Sequence, residues 1–338
     1  MAKVSIIVPC HNEQEMIPIL YEALDHESKQ LSDYEFEFLL VDDGSRDRTM
    51  EEIRKVAAKD PRVHYISFSR NFGKEGAMYA GLKNAQGDYC VIMDADLQDP
   101  PALLKQMIDA IEIEGYDSCA TRRVTRAGEP PIRSFFARQF YKLMNKASDV
   151  DMVDGARDYR MMTRPFVNAI LQMGEYNRFS KGIFGWVGFK TKWLEYENVE
   201  RVAGETKWSF WKLFKYAISG IVSFSTVPLQ FASAFGMLLS VVSFFAIIFI
   251  VVRKMMFGDP VAGWPSTICI IMLIGGIQLL SIGILGQYVS RTYMEVKERP
   301  IYLCREANFD LNDEKQMPLV ATAPSQKSNS KSHDGGIG

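Results

Sequence analysis

Two aspartates, Asp94 and Asp96, follow an apolar segment of the chain and are spaced to share one metal ion. The segment is Tyr89–Met93, and Gln98 lies two residues beyond the second aspartate. Carboxylates at positions i and i+2 past a buried strand can bind Mg²⁺ or Mn²⁺ and leave coordination positions for phosphate oxygens. The pattern is common, since 20 aspartates in 338 residues give about one match by chance. Of the two matches only this one follows a predicted strand, because the other, at 149–151, lies in a polar stretch.

The residues around this pair alternate between strand patterns and helix patterns. Strands are predicted at 4–8, 36–41, 63–68, 89–93 and 117–120, and helices at about 13–25, 46–59, 74–86 and 100–114. This alternation predicts an α/β, Rossmann-like fold whose mostly parallel sheet is covered on both faces. Polar loops follow the first, second and fourth strands, so we expect them to form one pocket for a cation and its polyphosphate ligand. The first turn has no glycine-rich fingerprint, which disfavours a dinucleotide dehydrogenase.

Charge and cysteine content narrow the class of protein. The net charge of −2 provides no basic field, so nucleic acid is not an expected partner. The five cysteines are odd in number and far apart, which predicts reduced, buried thiols rather than disulfides. The apolar run at the N-terminus is too short for a signal peptide, so the N-terminal part should stay on the side of the membrane where it is made.

Two long uncharged stretches indicate a membrane protein. Residues 229–252 and 264–289 carry no charged side chain, and about 20 apolar residues span a bilayer. The alternative is buried helices of a soluble protein, which uncharged runs of this length disfavour. Two cations lie in the turn at 253–263, and more cations flank the pair of stretches: Lys207, Lys212, Lys215, Arg291, Lys297 and Arg299. The positive-inside rule then predicts a transmembrane hairpin with the α/β part in the cytoplasm, so we expect an integral membrane protein. The membrane is expected to be a bacterial plasma membrane.

Amphipathic stretches complete the predicted organisation. Apolar stripes around Phe136 and Trp211 predict helices that lie at the membrane surface, with core helices of the α/β domain as the alternative. The expected order is an α/β domain at 1–206, an interfacial helix at 207–228, transmembrane helices at 229–252 and 264–289 joined by an external turn at 253–263, and a cytoplasmic tail at 290–338 that is disordered from about 313.

Several motifs resemble those of family 2 glycosyltransferases, which have the GT-A fold. They are Val8-Pro9-Cys10-His11-Asn12-Glu13, Val41-Asp42-Asp43-Gly44-Ser45 and Met93-Asp94-Ala95-Asp96-Leu97-Gln98. Three further motifs and the hairpin narrow the resemblance to polyprenyl-phosphate glycosyltransferases, the group of dolichyl-phosphate mannose synthase and undecaprenyl-phosphate glucosyltransferases. These motifs are Arg70-Asn71-Phe72-Gly73-Lys74, Asp158-Tyr159-Arg160 and Gly204-Glu205-Thr206-Lys207-Trp208-Ser209. Cys10-His11 departs from many relatives, which carry a small or aromatic residue before Asn-Glu.

The resemblance implies an enzyme that transfers a hexose, with inversion, from a nucleotide-diphosphate sugar to a membrane polyprenyl phosphate, undecaprenyl or dolichyl. The product would be a lipid-linked sugar donor for cell-envelope glycosylation, and the donor could be of the UDP-glucose or the GDP-mannose class. The metal would be Mg²⁺ or Mn²⁺ on Asp94, Asp96 and Gln98, which stabilises the leaving diphosphate. The resemblance assigns the donor nucleotide to Pro9, Asn12, Glu13, Asp42, Asp43, Lys74 and Asp94. The catalytic residues that the resemblance implies are Asp94, Asp96 and Asp158. Asp158 matches the residue proposed as the catalytic base in relatives.

The acceptor phosphate should be held by cations. It carries about −1.5 to −2 charge near pH 7 and is already a nucleophile, so it needs positioning more than a strong base. Candidates for binding the acceptor or donor phosphate are Arg122, Arg133, Arg138, Arg201 and Lys207. A homo-oligomer through the transmembrane helices is compatible with this organisation.

Two alternatives remain. A processive polysaccharide synthase has the same nucleotide domain, but the chain lacks the Gln-x-x-Arg-Trp motif of those enzymes and has only two long apolar stretches. A catalytically silent membrane scaffold of the same fold is disfavoured by the intact set of Asp94, Asp96, Gln98 and Asp158.

Overall fold

A computed structural model describes residues 1–123, 153, 155–196, 225–257 and 263–312. The chain divides into two compact units. The first consists of Met1–Lys105, Arg201–Ala203 and Tyr302–Gly338, and the second of Gln106–Glu200 and Gly204–Ile301. The predicted amphipathic stretch around Phe136, nearly all of the interfacial helix at 207–228 and the tail from 313 lie outside the described residues.

Four parallel strands form the centre of the first unit. They are β1 (Ala2–Cys10), β2 (Tyr34–Asp42), β3 (Val63–Phe68) and β4 (Tyr89–Ile92), and they pair in the order β4-β1-β2-β3. Ile6, Ile7 and Val8 on β1 are all fully buried. Since successive side chains point to opposite faces, both faces of this sheet are covered. The predicted strands and their parallel arrangement are confirmed.

Helices connect these strands and fix the loops at their ends. They are α1 (Met16–Gln30), α2 (Thr49–Lys59) and α3 (Lys74–Asn84); a short 3₁₀ helix at Pro101–Leu103 precedes α4 (Leu104–Glu112). Helix α3 packs closely against β1 at Gly81, where a Cβ would lie 2.2 Å from Cγ2 of Ile7. A larger residue there would displace α3 from the sheet, together with the loop that leads into it.

A fifth strand in the first unit was not predicted. It is β8 (Cys304–Ala307), which pairs antiparallel with β3. Arg54 on α2 donates to both carboxylate oxygens of Glu306, at 3.0 and 2.6 Å, and the Tyr65 hydroxyl donates to the same carboxylate at 2.8 Å. The segment Cys-Arg-Glu-Ala has two charged residues and no apolar run, so its sequence does not indicate a strand.

The second unit contains a three-stranded group and two short helices. Strand β5 (Ser118–Arg123) lies between β6 (Ala156–Thr163), which is antiparallel to it, and β7 (Thr191–Tyr196), which is parallel. Helix α5 (Arg164–Gln172) follows β6 directly, and α6 (Ser180–Trp186) precedes β7. Only β5 was predicted, because β6 and β7 carry charged side chains at several positions.

Two long apolar helices, α7 (Val227–Phe257) and α8 (Trp264–Val296), also belong to the second unit. Val227–Ala246 has a mean hydropathy of 1.8 and Leu273–Val296 one of 1.4, so each is long and apolar enough to cross a bilayer. Large side chains such as Phe231 and Leu279 are 70% and 72% exposed. Both helices extend beyond the stretches at 229–252 and 264–289 that the sequence predicted.

Helix α8 is tied to its own unit by polar contacts near its C-terminal end. The Tyr288 hydroxyl donates to the carbonyl oxygen of Ser225 at 2.6 Å. The carboxylate of Glu295 accepts from the backbone N–H groups of Tyr176, at 3.0 Å, and Asn177, at 3.4 Å. The segment that leads into α6 is therefore fixed to the last turns of α8.

Candidate active site

Hydrogen bonds join the loop after β1 to the loop after β2. The N–H of Asn12 donates to Ser45 Oγ at 2.9 Å, and Oδ1 of Asn12 accepts from the N–H of Arg46 at 2.9 Å. Asn12 has φ 55°, in the left-handed region that Asn adopts more readily than most residues. The N–H of Glu13 donates to Thr49 Oγ1 at 2.8 Å. Asn12 and Glu13, both predicted to bind the nucleotide, thus lie in a fixed loop that follows Pro9 at the carboxyl edge of the sheet.

Asp42, the first of the two predicted nucleotide-binding aspartates after β2, is buried. Its Oδ1 accepts from the N–H of Ser45 at 3.1 Å, and its Oδ2 accepts from the hydroxyl of Ser67 at 2.9 Å. Asp42 therefore holds the turn after β2 and links it to β3.

Asp43 is also buried, and it holds the start of α3. Its Oδ1 accepts from the backbone N–H groups of Phe72 and Gly73, at 2.6 and 3.1 Å. Burial raises the pKa of Asp43, and these two hydrogen bonds oppose that increase. Its role as a nucleotide ligand stays a prediction, and the structure shows that its carboxylate shapes the loop.

The loop after β2 makes backbone contact with the loop after β3 at Gly44. Its φ is +62°, and a Cβ at this position would lie 2.4 Å from the carbonyl carbon of Arg70 and 2.6 Å from the backbone nitrogen of Asn71. Glycine is required here both for the backbone conformation and for the close approach.

His11 and Asn71 lie side by side at this edge. His11 Nδ1 is 2.9 Å from the carbonyl oxygen of Asp43, a geometry in which the ring N–H donates. Asn71 Nδ2 is 3.3 Å from His11 Nδ1. The Arg70 guanidinium lies 4.0 Å from the centre of the Phe72 ring. Within the motif at residues 70–74, the sequence assigned a site role to Lys74 only. The contacts of Arg70 and Asn71 at this edge were therefore missed.

Lys74 and Asp94 form an ion pair. Lys74 Nζ at the start of α3 lies 2.6 Å from Asp94 Oδ1 after β4. Asp96 Oδ1 accepts from the N–H of Gln98 at 3.2 Å. The residue between them, Leu97, has φ 51°, which is unfavourable for a leucine and marks a constrained turn of the kind found at functional sites.

The thiol of Cys10 lies in the electrostatic field of carboxylates from three acidic loops. Burial raises its pKa, and the nearby carboxylates of Asp42, Glu13 and Asp94 raise it further. One carboxylate comes from each of the loops after β1, β2 and β4, as the positions of these loops after parallel strands predict. Four cysteines within the described ranges are buried and form no disulfide there, in agreement with the expected reduced thiols: Cys10, Cys90, Cys119 and Cys304.

The acidic loop after β4 suits a hard divalent cation. Among the described residues no three carboxylate, imidazole or thiol groups are arranged to hold an ion. Mg²⁺ and Mn²⁺ at phosphate sites are bound through one or two carboxylates and complete their coordination with phosphate and water oxygens. The oxygen ligands that Asp94, Asp96 and Gln98 offer fit that mode of binding.

Asp158, the predicted catalytic base, lies in the second unit beside buried and half-buried cations. Its Oδ1 is 3.9 Å from Nζ of Lys181 on α6. Arg160, two residues further along β6, is 4% exposed. Arg160 and Lys181 line a cavity of about 250 Å³ whose wall includes Phe184 and Trp193. Arg160 belongs to a motif recognised in the sequence but was given no role there, and Lys181 was missed.

The predicted phosphate-binding cations are mostly outside the described residues. Arg122 on β5 is described, and its guanidinium pairs with the carboxylate of Glu195 on β7. Arg133, Arg138, Arg201 and Lys207 lie outside the described ranges, so their roles stay predictions, as do the predicted domain boundaries.

Comparison with known proteins identifies the family. Residues 5–171 match the model of "Glycosyl transferase family 2". The chain is 44% identical to a putative glycosyltransferase, CsbB, of Bacillus subtilis, over 92% of this chain and 93% of that protein. It is 41% identical to a prophage bactoprenol glucosyl transferase homolog of Escherichia coli, over 90% of this chain and 98% of that protein. A solved mannosyltransferase from Pyrobaculum calidifontis, in complex with GDP-Man and Mn²⁺, is 17% identical over 86% of this chain and 84% of its own, with a TM-score of 0.47.

The family model and the two relatives agree with the motifs at the sheet edge, so the resemblance to family 2 glycosyltransferases is confirmed. The Rossmann-like α/β sheet expected of the GT-A fold is present in the structure. The chain is a glycosyltransferase, and it belongs to glycosyl transferase family 2.

Proposed function

We propose that this enzyme transfers glucose from UDP-glucose to a membrane polyprenyl phosphate, giving a lipid-linked sugar. The observation that carries the proposal is the cluster of Lys74, Asp94 and Asp96 at the sheet edge, in a chain with two long apolar helices. The cluster suits a nucleoside diphosphate, and the helices suit an acceptor that stays in the bilayer. The name of the Escherichia coli relative, a bactoprenol glucosyl transferase homolog, supports glucose and a prenyl acceptor.

The first unit binds the donor in this proposal. The joined loops that contain Pro9, Asn12, Glu13, Asp42 and Asp43 form the nucleoside pocket. Lys74 supplies a cation for the diphosphate, and Asp94 holds its ammonium group in place at 2.6 Å. A divalent cation on Asp94, Asp96 and Gln98 would stabilise the negative charge that develops on the leaving diphosphate.

The transfer itself is a single displacement with inversion. A phosphate oxygen of the acceptor attacks the anomeric carbon, the bond from that carbon to the diphosphate oxygen breaks, and its electron pair leaves with the nucleoside diphosphate. Because the acceptor is already an anion, Asp158 need not remove a proton. Its carboxylate is balanced by Lys181 and Arg160, which suits a role in orienting the sugar.

Helices α7 and α8 span the bilayer as a hairpin in this proposal, with the catalytic part in the cytoplasm of a bacterial cell. The excess of Lys and Arg on the flanks of the hairpin over its turn supports this orientation. The bilayer then delivers the prenyl chain beside the second unit.

Nucleotide binding to the purified protein tests the donor assignment. UDP with Mn²⁺ should raise the melting temperature, since a ligand at 100 times its Kd adds about 2.7 kcal/mol of stability. GDP should have little effect, and Asp96→Asn should reduce the shift that Mn²⁺ adds. A rise in melting temperature with GDP but not with UDP would indicate a donor of the GDP-mannose class instead of UDP-glucose. No rise with either nucleotide would contradict the proposal.

A further inference from the structure

The second unit contains a cavity to which no ligand has yet been assigned. Its volume is about 250 Å³, and Arg157, Arg160 and Lys181 contribute three cations to its lining. Phe184 and Trp193 form part of its wall. Cationic and aromatic groups in one concave site suit a ligand that is both anionic and partly apolar.

Arg160 is the most unusual member of this lining. Its guanidinium carbon lies 4.1 Å from the centre of the Phe184 ring and 5.8 Å from that of Trp193. Within the part of the chain that the structure describes, its Nε and Nη1 are buried and have no hydrogen-bond acceptor. Burial lowers the pKa of Arg160 to about 10, and the carboxylate of Asp158 opposes this decrease. A buried guanidinium with unused N–H groups is costly unless an anion completes its hydrogen bonds.

The other two cations of the lining, Arg157 and Lys181, are oriented by hydrogen bonds, and Lys181 also lies 3.9 Å from the carboxylate of Asp158. Arg157 Nε donates to the hydroxyl of Tyr196 at 3.1 Å, and Lys181 Nζ donates to the carbonyl oxygen of Ala156 at 3.0 Å. These two hydrogen bonds orient the side chains. The lining includes three cationic side chains, and a phosphate monoester carries about −1.5 to −2 charge near pH 7. A phosphate therefore suits this lining.

The position of α6 favours a lipid as the source of that phosphate. The segment before α6 is fixed to the end of α8 through Glu295. Trp186, the last residue of α6, is 62% exposed, and exposed tryptophans are typical of the membrane surface. The cavity and the two apolar helices belong to the same unit. Under the proposed topology this is the unit that carries the membrane helices.

We propose that this cavity binds the phosphate of the prenyl acceptor, with Arg160 as its principal ligand and Lys181 and Arg157 as supporting cations. The identity of the acceptor rests on the proposed function, whereas the assignment of a phosphate to the cavity rests on the residues above.

Binding of farnesyl phosphate without any donor tests the inference. The melting temperature of the full-length protein is measured with farnesyl phosphate, with farnesol and with inorganic phosphate. Farnesyl phosphate should stabilise the wild type more than either of the other two. Arg160→Met, which keeps most of the side-chain volume, should weaken its binding by roughly 10- to 150-fold and leave UDP binding unchanged. Lys181→Met, at a less buried position, should weaken it less and provides the test if Arg160→Met does not fold.

The control is Lys192→Met, which removes a cation from β7 that pairs with Glu114 outside the cavity. It should leave farnesyl phosphate binding unchanged. Equal stabilisation by inorganic phosphate and farnesyl phosphate, a loss of UDP binding in Arg160→Met, or unchanged farnesyl phosphate binding in a folded Arg160→Met would each overturn the inference. If farnesyl phosphate binds through Arg160 but the wild type transfers no sugar, the proposed function fails and the cavity assignment stands.

Discussion

Lys74 and Asp94 form a direct ion pair in the candidate donor site, with Nζ 2.6 Å from Oδ1. The side chain of Lys74 is 40% exposed and that of Asp94 is 29% exposed. Solvent screens an ion pair at this exposure, so it contributes little to stability. The pair is therefore better understood as a way of positioning two groups for a ligand than as a contribution to stability.

We expect Lys74→Met to weaken UDP binding by roughly 10- to 150-fold, the effect of losing one charge-assisted contact to a phosphate. The melting temperature should change little because the pair is exposed. Calorimetric titration with UDP measures the first effect. Lys55→Met, which removes an exposed cation paired with Glu51 and Glu52 on α2, is the control. Unchanged UDP affinity in Lys74→Met would show that Lys74 is not a donor ligand.

Gly44→Ala should impair both folding stability and UDP binding. The added Cβ would lie 2.4 Å from the backbone of Arg70 in a residue with φ +62°. Gly115→Ala separates the strain of a positive φ from the steric clash. Gly115 has φ +72°, and a Cβ added there would have no neighbouring atom within 4 Å. The control should show only the conformational cost of about 1–2 kcal/mol. Equal losses of stability in the two variants would mean that the loops after β2 and β3 separate readily.

Stability should depend on pH through Glu306 on β8. The hydrogen bonds from Arg54 lower the pKa of Glu306 below its ordinary value of 4.5. A lowered pKa stabilises the fold above pH 4.5, and this contribution is lost as the pH falls through the folded-state pKa. Because Arg54 is half exposed, Glu306→Gln should cost about 1 kcal/mol, or about 2–4 °C in Tm at pH 7.

Thermal unfolding of wild type and Glu306→Gln between pH 7 and about pH 3 measures this effect. The difference in Tm should be largest at neutral pH and should shrink in acid. Glu51→Gln, at an exposed site on α2, is the control and should not change the Tm. A difference that persists unchanged in acid would show that packing, and not the charge on Glu306, anchors β8.

The hairpin predicts opposite accessibility for two positions on the chain. A cysteine placed at residue 259, in the segment between α7 and α8, should react with a membrane-impermeant maleimide in intact cells. A cysteine at the exposed C-terminal end of α2, Lys59→Cys, should react only after the cells are opened. Equal labelling of the two positions in intact cells would contradict a spanning hairpin.

The sequence predicts those parts of the fold that depend on local pattern. The apolar segments of β1 to β4 and the loops after them could be identified because both sides of a parallel strand are buried. Strand β8 could not be predicted, since its partner β3 is more than 230 residues away and its own sequence, Cys-Arg-Glu-Ala, has no apolar run. The sequence placed Asp42 and Asp43 at the end of the second strand. It could not predict their hydrogen bonds to Ser67, Phe72 and Gly73, because these depend on how distant loops meet. The same holds for Lys181 on α6, which lies 3.9 Å from Asp158 and donates to the carbonyl oxygen of Ala156, both on β6.

Sugar transfer to a prenyl phosphate by the site that contains Asp94 and Asp96 can be measured directly. The purified enzyme is placed in phosphatidylcholine nanodiscs that contain undecaprenyl phosphate and is supplied with labelled UDP-glucose and Mn²⁺, and the lipid-extractable radioactive product is quantified. We predict a lipid-linked glucose that is lost in a folded Asp96→Asn variant and lost by the wild type in excess EDTA. Full activity of Asp96→Asn in EDTA, or no lipid-linked product from the wild type with either UDP-glucose or GDP-mannose, would contradict the account.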